Sequence, residues 1–280
     1  MGYVDSILNL AGLLLWFKWR SLPFDPFNHR IPATLVGTLR RAAPSHFRRW
    51  HLLAAIAALV VLRAVIYWWV GPAVHWNGRM DLGVITLSFR SDLFRRMLLF
   101  STFSFGLALA IFYQWLLLLS LLAGAEANQG AIHRLVRMAL GGIDDWPRPA
   151  KLIAPFAATA TLWWLATWAL TWLEIIPRPF SGAQRLEESL VIGLGSYLVW
   201  KFAAVGLLSL HLLNTYIYFG RHLFWNEINT LAQTLMIPLR KIPWRVGKVD
   251  FAPLVAIGLL FLAAGLAERG LAWLYARPPF

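Results

Sequence analysis

Five ionisable side chains interrupt or closely flank apolar stretches of this 280-residue chain: Arg63, Glu174, Lys201, Glu268 and Arg269. Charges in such surroundings are costly in hydrocarbon, and they characteristically pair with one another or line ion, proton or substrate paths. Lys201 stands furthest from water. It lies near the middle of 190–213, about 17 Å from either end at 1.5 Å per helical residue. A lysine stem can snorkel across only part of that distance. Lys201 is therefore expected to face a partner side chain, a cavity or another chain. Arg63 falls in the outer half of its apolar run. Glu174 and Glu268 lie near the outer ends of theirs, with Arg63, Arg178 and Arg269 as candidate partners. Structural pairing accounts for all five in one reading; an ion, substrate or lipid site accounts for them in the other.

Other chemistries find little support. The chain has no Cys, which excludes disulfides, thiolate catalysis, iron–sulfur clusters and Cys-ligated zinc. Its seven His show neither paired i,i+4 spacing nor a His-Glu-x-x-His pattern. Only His211 lies well inside an apolar run, and a hydrogen-bonded packing role is expected of it. Gly193-Leu194-Gly195 continues into apolar sequence, so it reads as a site of close helix packing rather than phosphate binding. Asp144, Asp145 and His133 share one loop but lack a nucleophile or a metal geometry. No catalytic residue, metal or cofactor is expected, and the chain is read as non-enzymatic.

The elements that must hold these charges are membrane spans. Hydrophobic residues make up 59% of the chain and charged ones 14%, and mean hydropathy is +0.60. A soluble domain is roughly 45–50% apolar and about 25% charged. About 20 apolar residues cross the hydrocarbon core as a helix, and the runs 51–70, 97–123, 152–176, 190–213 and 251–275 qualify. Lipid leaves backbone groups no other partner, so helices are required. The expected fold is all-α integral membrane, with about five transmembrane helices, interfacial helices and an internal duplication. The run 7–17 is short and precedes Lys18, Trp19 and Arg20, so it reads as an interfacial helix, with a short or tilted span as the alternative. Asp5 stands where a signal peptide would be basic. The stretch 71–96 reads as an external loop with an interfacial turn or short helix.

The formal net charge is +13. With the 18–49 stretch cytoplasmic, sixteen basic residues fall inside and seven outside, as the positive-inside rule requires. The C-terminus is then external. Basic residues follow the membrane boundaries instead of forming one groove-sized patch, so no nucleic acid is expected as a partner. The expected partners are the bilayer itself, with anionic lipid at the cytoplasmic face, and a membrane-protein partner or a second copy.

A shift of 98 positions superposes Asn128 on Asn226, Met138 on Met236, Trp146 on Trp244, and Ala154-Pro155 on Ala252-Pro253. The second copy carries Pro238-Leu239-Arg240-Lys241-Ile242-Pro243, then Asp250, Ala252 and Pro253 at the head of a span, after Phe224-Trp225-Asn226. The prolines stop one helix and fix a turn. Arg240 and Lys241 suit anionic headgroups, and Asp250 is placed to cap the last span. This pattern resembles the signature of the YggT family of small bacterial membrane proteins, with Ala252 and Trp244 departing from the common residues. The resemblance marks Asn226, Pro238, Arg240, Lys241, Pro243, Asp250 and Pro253 as family-defining. It divides the chain into an extension (1–96), a degenerate repeat (97–176) and a better matched repeat (189–276). It implies a multi-pass protein of the bacterial inner membrane, of a family associated variously with ion or osmotic homeostasis, with cell division or envelope organisation, and with assembly of a membrane cytochrome. The lack of a catalytic constellation and the basic cytoplasmic surface lead us to expect a scaffold, assembly factor or accessory subunit in envelope or membrane-complex organisation. A transporter or channel component in ion or osmotic homeostasis is the alternative.

Overall fold

The structure is a computed structural model that describes residues 2–21, 49–123, 130–177, 181–217, 223–239, 245–246 and 249–276. Among the described residues, five helical stretches are long and apolar enough to cross a bilayer. They are α2 (Arg49–Ala73), α3 (Phe94–Leu122), α5 (Arg148–Trp172), α6 (Gly182–Gly195) continued by α7 (Trp200–Tyr216), and α9 (Ala252–Ala276). Shorter or more polar helices complete the set: α1 (Gly2–Ser21), α4 (Ala131–Leu140) and α8 (Leu223–Leu235). The chain is an all-α multi-pass membrane protein. Large apolar side chains such as Trp164, Trp168, Phe261 and Leu262 stay exposed on the spans, as lipid-facing surfaces require.

The chain forms two compact units, one of residues 1–78 and 90–109, the other of 79–89 and 110–280. In the first, α1 packs lengthwise on α2. Asp5 meets Arg63 and Tyr67, and Asn9 meets Arg63 and Ser104. The helix is 20 residues long, so it extends beyond the apolar run 7–17 at both ends. Its polar side chains Asp5 and Asn9 are turned to α2 and α3. α1 is not one of the five helices long and apolar enough to cross a bilayer. Gly12 permits the approach to α3, since a Cβ there would lie 2.5 Å from the Phe105 ring.

The 71–96 stretch also departs from expectation. It contains no short helix, but two paired strands, β1 (Gly78–Asp81) and β2 (Thr86–Phe89). Their turn uses Gly83 at φ +84, with Leu82 N–H donating to the Ile85 carbonyl at 2.9 Å. In each strand, burial alternates residue by residue, the period that pleated backbone imposes.

In the second unit the fourth span is longer than its apolar run, covering 35 residues. Ser181 starts it by accepting from Gln184 N–H at 3.1 Å, an N-cap that acts before the hydropathy rises. A 3-10 turn at Ser196–Val199 joins α6 to α7. α5 and α6 form the most extensive helix pair, and within it Gly193 faces Phe156 and Ala160. A Cβ at Gly193 would lie 3.0 Å from both side chains and 3.1 Å from the Phe156 carbonyl. The close packing expected at Gly193 is therefore present. Gly193→Leu should lower stability by about 1–3 kcal/mol through overpacking. Gly206→Ala, with nothing within 4 Å of its added carbon, should be neutral in the same SDS-unfolding titration.

Two clusters hold the short helices to the spans. Leu116 and Leu117 of α3 pack with Val136, Ala139 and Leu140 of α4. Leu208 of α7 packs with Ala232 of α8, with Met236, and with Ala256 of α9. Two further strands, β3 (Arg245–Val246) and β4 (Val249–Asp250), pair antiparallel before α9, with Arg245 opposite Asp250.

Candidate functional site

The buried charge of the first unit is Arg63, on the fifteenth residue of α2 and 1% exposed. That places it about 21 Å from one end of the helix and about 15 Å from the other. Its guanidinium donates to Asp5 Oδ1 at 2.5 Å, to Asn9 Oδ1 at 2.7 Å and to Ser104 Oγ at 2.7 Å. Tyr67 Oη donates to the same Asp5 oxygen at 2.6 Å. The rings of Phe100 and Tyr67 lie 5.5 and 5.6 Å from Arg63 Cζ, close enough for cation–π attraction. Arg63 is thus paired within its own unit, by Asp5. Asp5 and Asn9 stand four residues apart, hence on one helix face. That spacing at the head of the apolar run 7–17 was the available signal of a polar face on α1.

In the second unit Lys201 of α7 forms an ion pair with Glu268 of α9. The expectation that Lys201 faces a partner holds, and its partner is the candidate acid on the last span. The pair lies about 12 Å from the C-terminal end of α9 and about 24 Å from its N-terminal end. Lys201 also lines a cleft of about 630 Å³ walled by α6, α7 and α9. Arg269, next in sequence to Glu268, is exposed on α9 and makes no ion pair among the described residues. Glu174 lies just beyond the end of α5 and adopts φ 56. Its N–H donates to the Thr171 carbonyl and that of Ile175 to Leu170, the paired bonds of a left-handed helix C-terminus. Its backbone role there is helix termination.

A third set of charges lies where α3 ends and α5 begins. Ser120 Oγ donates to Asp144 Oδ1 at 2.5 Å and accepts from Lys151 Nζ at 2.7 Å. Lys151 and Asp144 are 3.6 Å apart, with side chains 10% and 7% exposed. Lys151 is therefore a buried member of α5's first turn, not one of the loop charges that meet anionic lipid. A serine between lysine and carboxylate invites comparison with a nucleophile and its base. Here the serine proton goes to the carboxylate and the ammonium donates to the serine, so the lysine is arranged as a cation rather than as a base.

The short helices meet through Glu227 of α8. Its carboxylate accepts from Ala131 N–H at 2.6 Å and Ile132 N–H at 2.7 Å, covering the start of α4. Gly130 makes the room, since a Cβ there would lie 2.2 Å from the Glu227 carboxyl carbon. Glu227→Gln should cost about 0.5–2 kcal/mol, the range for loss of an N-terminal cap, and should speed amide exchange at 131 and 132. His211 Nδ1 lies 2.9 Å from Asn229 Oδ1, joining α7 to α8. The packing role expected of His211 is the one observed.

Of the motif residues, Asn226 and Pro238 are exposed and Pro253 is buried in the first turn of α9. Asp250 lies in β4, two residues before α9 begins. Arg240, Lys241 and Pro243, and the side-chain role expected of Asp250, lie outside the described residues. The structure brings Lys201 and Glu268 together, and sequence reasoning missed Asp5, Asn9, Ser120 and Glu227 as partners. Comparison with protein-family models, with curated proteins and with solved structures returned no match, so the reading of these sites rests on their own geometry.

Proposed function

We propose that this chain is a non-catalytic scaffold, assembly factor or accessory subunit of a membrane complex, with the bacterial inner membrane as its setting and YggT-type repeats as its building unit. The observation that carries this reading is how the membrane-embedded charges are used. Arg63 with Asp5, Lys151 with Asp144, and Lys201 with Glu268 each join one helix to another or to the turn beside it. Charges engaged in this way position helices and leave little for moving a solute. The order long helix, short amphipathic helix, 3-10 turn, long helix occurs over 94–172 and again over 182–276, which supports the duplication. Arg134 and Arg137 are exposed on α4, where they suit anionic lipid at a cytoplasmic surface.

A transport role is favoured by one observation, the ion pair bordering the cleft, with Glu268 43% exposed. Purification of the tagged chain from native membranes in mild detergent tests the scaffold reading. A stoichiometric membrane-protein partner that survives size exclusion is expected. A chain that elutes alone from every mild detergent contradicts it.

A further inference from the structure

We propose that the cleft between α6–α7 and α9 binds a membrane-soluble quinone, with a ring carbonyl accepting from the Lys201 ammonium. The inference is independent of the scaffold reading and rests on depth, shape and hydrogen-bond capacity.

The cleft volume, about 630 Å³, falls within the range of small-molecule sites, roughly 300–1,000 Å³. Its lining runs along α9 from Leu260 to Leu274, about 21 Å of helix, so it is long enough for a chain as well as a ring. The middle of the α9 wall carries Ala263, Ala264, Ala267 and Gly270, between Leu260 at one end and Leu271 and Leu274 at the other, and these small residues leave room in the groove. Tyr197 and Trp200 also line it, edge to face with centroids 5.1 Å apart, flat surfaces against which a planar head can pack.

The polar capacity is specific. An ammonium has three N–H donors. Among the described residues, Lys201 Nζ hydrogen-bonds Glu268 alone, with the Phe202 ring 5.1 Å away. Two donors therefore remain beside an apolar groove. Glu268 already balances the charge, so the site suits a neutral acceptor rather than an anion. Depth selects among neutral acceptors. The pair lies about 12 Å from the nearer end of the 25-residue apolar helix α9, a position along a spanning helix that suits a lipid-soluble ring better than a headgroup. A second copy of the chain could also place a helix against small residues, but it would leave those donors without an acceptor unless it carried one.

The test uses the full chain in phosphatidylcholine nanodiscs with decylubiquinone as probe and dodecylbenzene, which has no carbonyl, as control. Ligand that binds only the folded protein raises its thermal midpoint with saturation. Decylubiquinone should do so, and dodecylbenzene should bind at least tenfold more weakly. Ala267→Phe, which fills the groove, should abolish the shift, and Gly270→Leu provides a second filler should that variant not fold. The neutral pair Lys201→Met with Glu268→Leu should weaken binding at least tenfold. Equal or unsaturable shifts from both compounds would overturn the proposal, as would unchanged binding in a folded filler variant. So would a dimer of the wild-type chain that the filler variants dissociate.

Discussion

Replacing Arg63 with methionine is expected to destabilise the protein by about 3 kcal/mol, the low end of the range for breaking a buried ion pair. The low end applies for two reasons. Asp5 keeps the Tyr67 hydroxyl and is 22% exposed. Asn9 Nδ2 also retains its own bond to Ser104 Oγ at 3.1 Å. What is lost is one cation that serves three acceptors across three helices. Arg63→Lys should recover only part of the loss, because a point charge cannot reproduce the forked geometry that reaches Asp5, Asn9 and Ser104 together. The double replacement Asp5→Leu with Arg63→Met should restore most of the stability, since no unpaired charge then remains. SDS-unfolding titrations of the parent, Arg63→Met, Asp5→Leu and the double variant give the coupling directly. A coupling energy near zero would mean that α1 is not held against α2 by the pair.

The larger effect is expected at Lys151. Its replacement by methionine should cost about 4–5 kcal/mol, because both members of this pair are nine-tenths buried and Asp144 would keep only the Ser120 hydroxyl. Replacing Asp144 with leucine as well should return the protein to within about 1 kcal/mol of the parent, or above it. Ser120 can then turn its hydroxyl to a carbonyl of its own helix, as mid-helix serines do. The same unfolding titration measures this. If Lys151→Met alone proved neutral, the lysine would be reaching the headgroup region and not the interior.

Much of this architecture is written locally in the sequence. Each span is a run of about 20 apolar residues, and no distant contact is needed to recognise it. For that reason 51–70, 97–123, 152–176 and 251–275 reappear as α2, α3, α5 and α9 with small changes at their ends. The fourth span was underestimated because Gln184, Glu187 and Glu188 lower its hydropathy while Ser181 still starts the helix. The β1–β2 hairpin was missed because its strands are four residues each, too short for a clear alternating pattern.

The charges were legible as candidates but not as pairs. Lys201 and Glu268 are 67 positions apart and Arg63 and Asp5 are 58 apart, so only the packing of helices reveals them as neighbours. Lys151 stands just before the apolar run 152–176, while Pro147 and Pro149 begin α5 ahead of it, where a missing N–H costs nothing. Glu227 lies beside Asn226, a residue marked by the family resemblance, yet its carboxylate does the joining.

Ion flux into proteoliposomes tests the central claim most directly, because charges that serve to hold helices together should carry none. Vesicles holding the full chain, loaded with potassium- and proton-sensitive dyes, should match protein-free vesicles under an imposed gradient. Flux above that background that disappears in the folded neutral variant Lys201→Met with Glu268→Leu would contradict the account and make the pair part of a pathway.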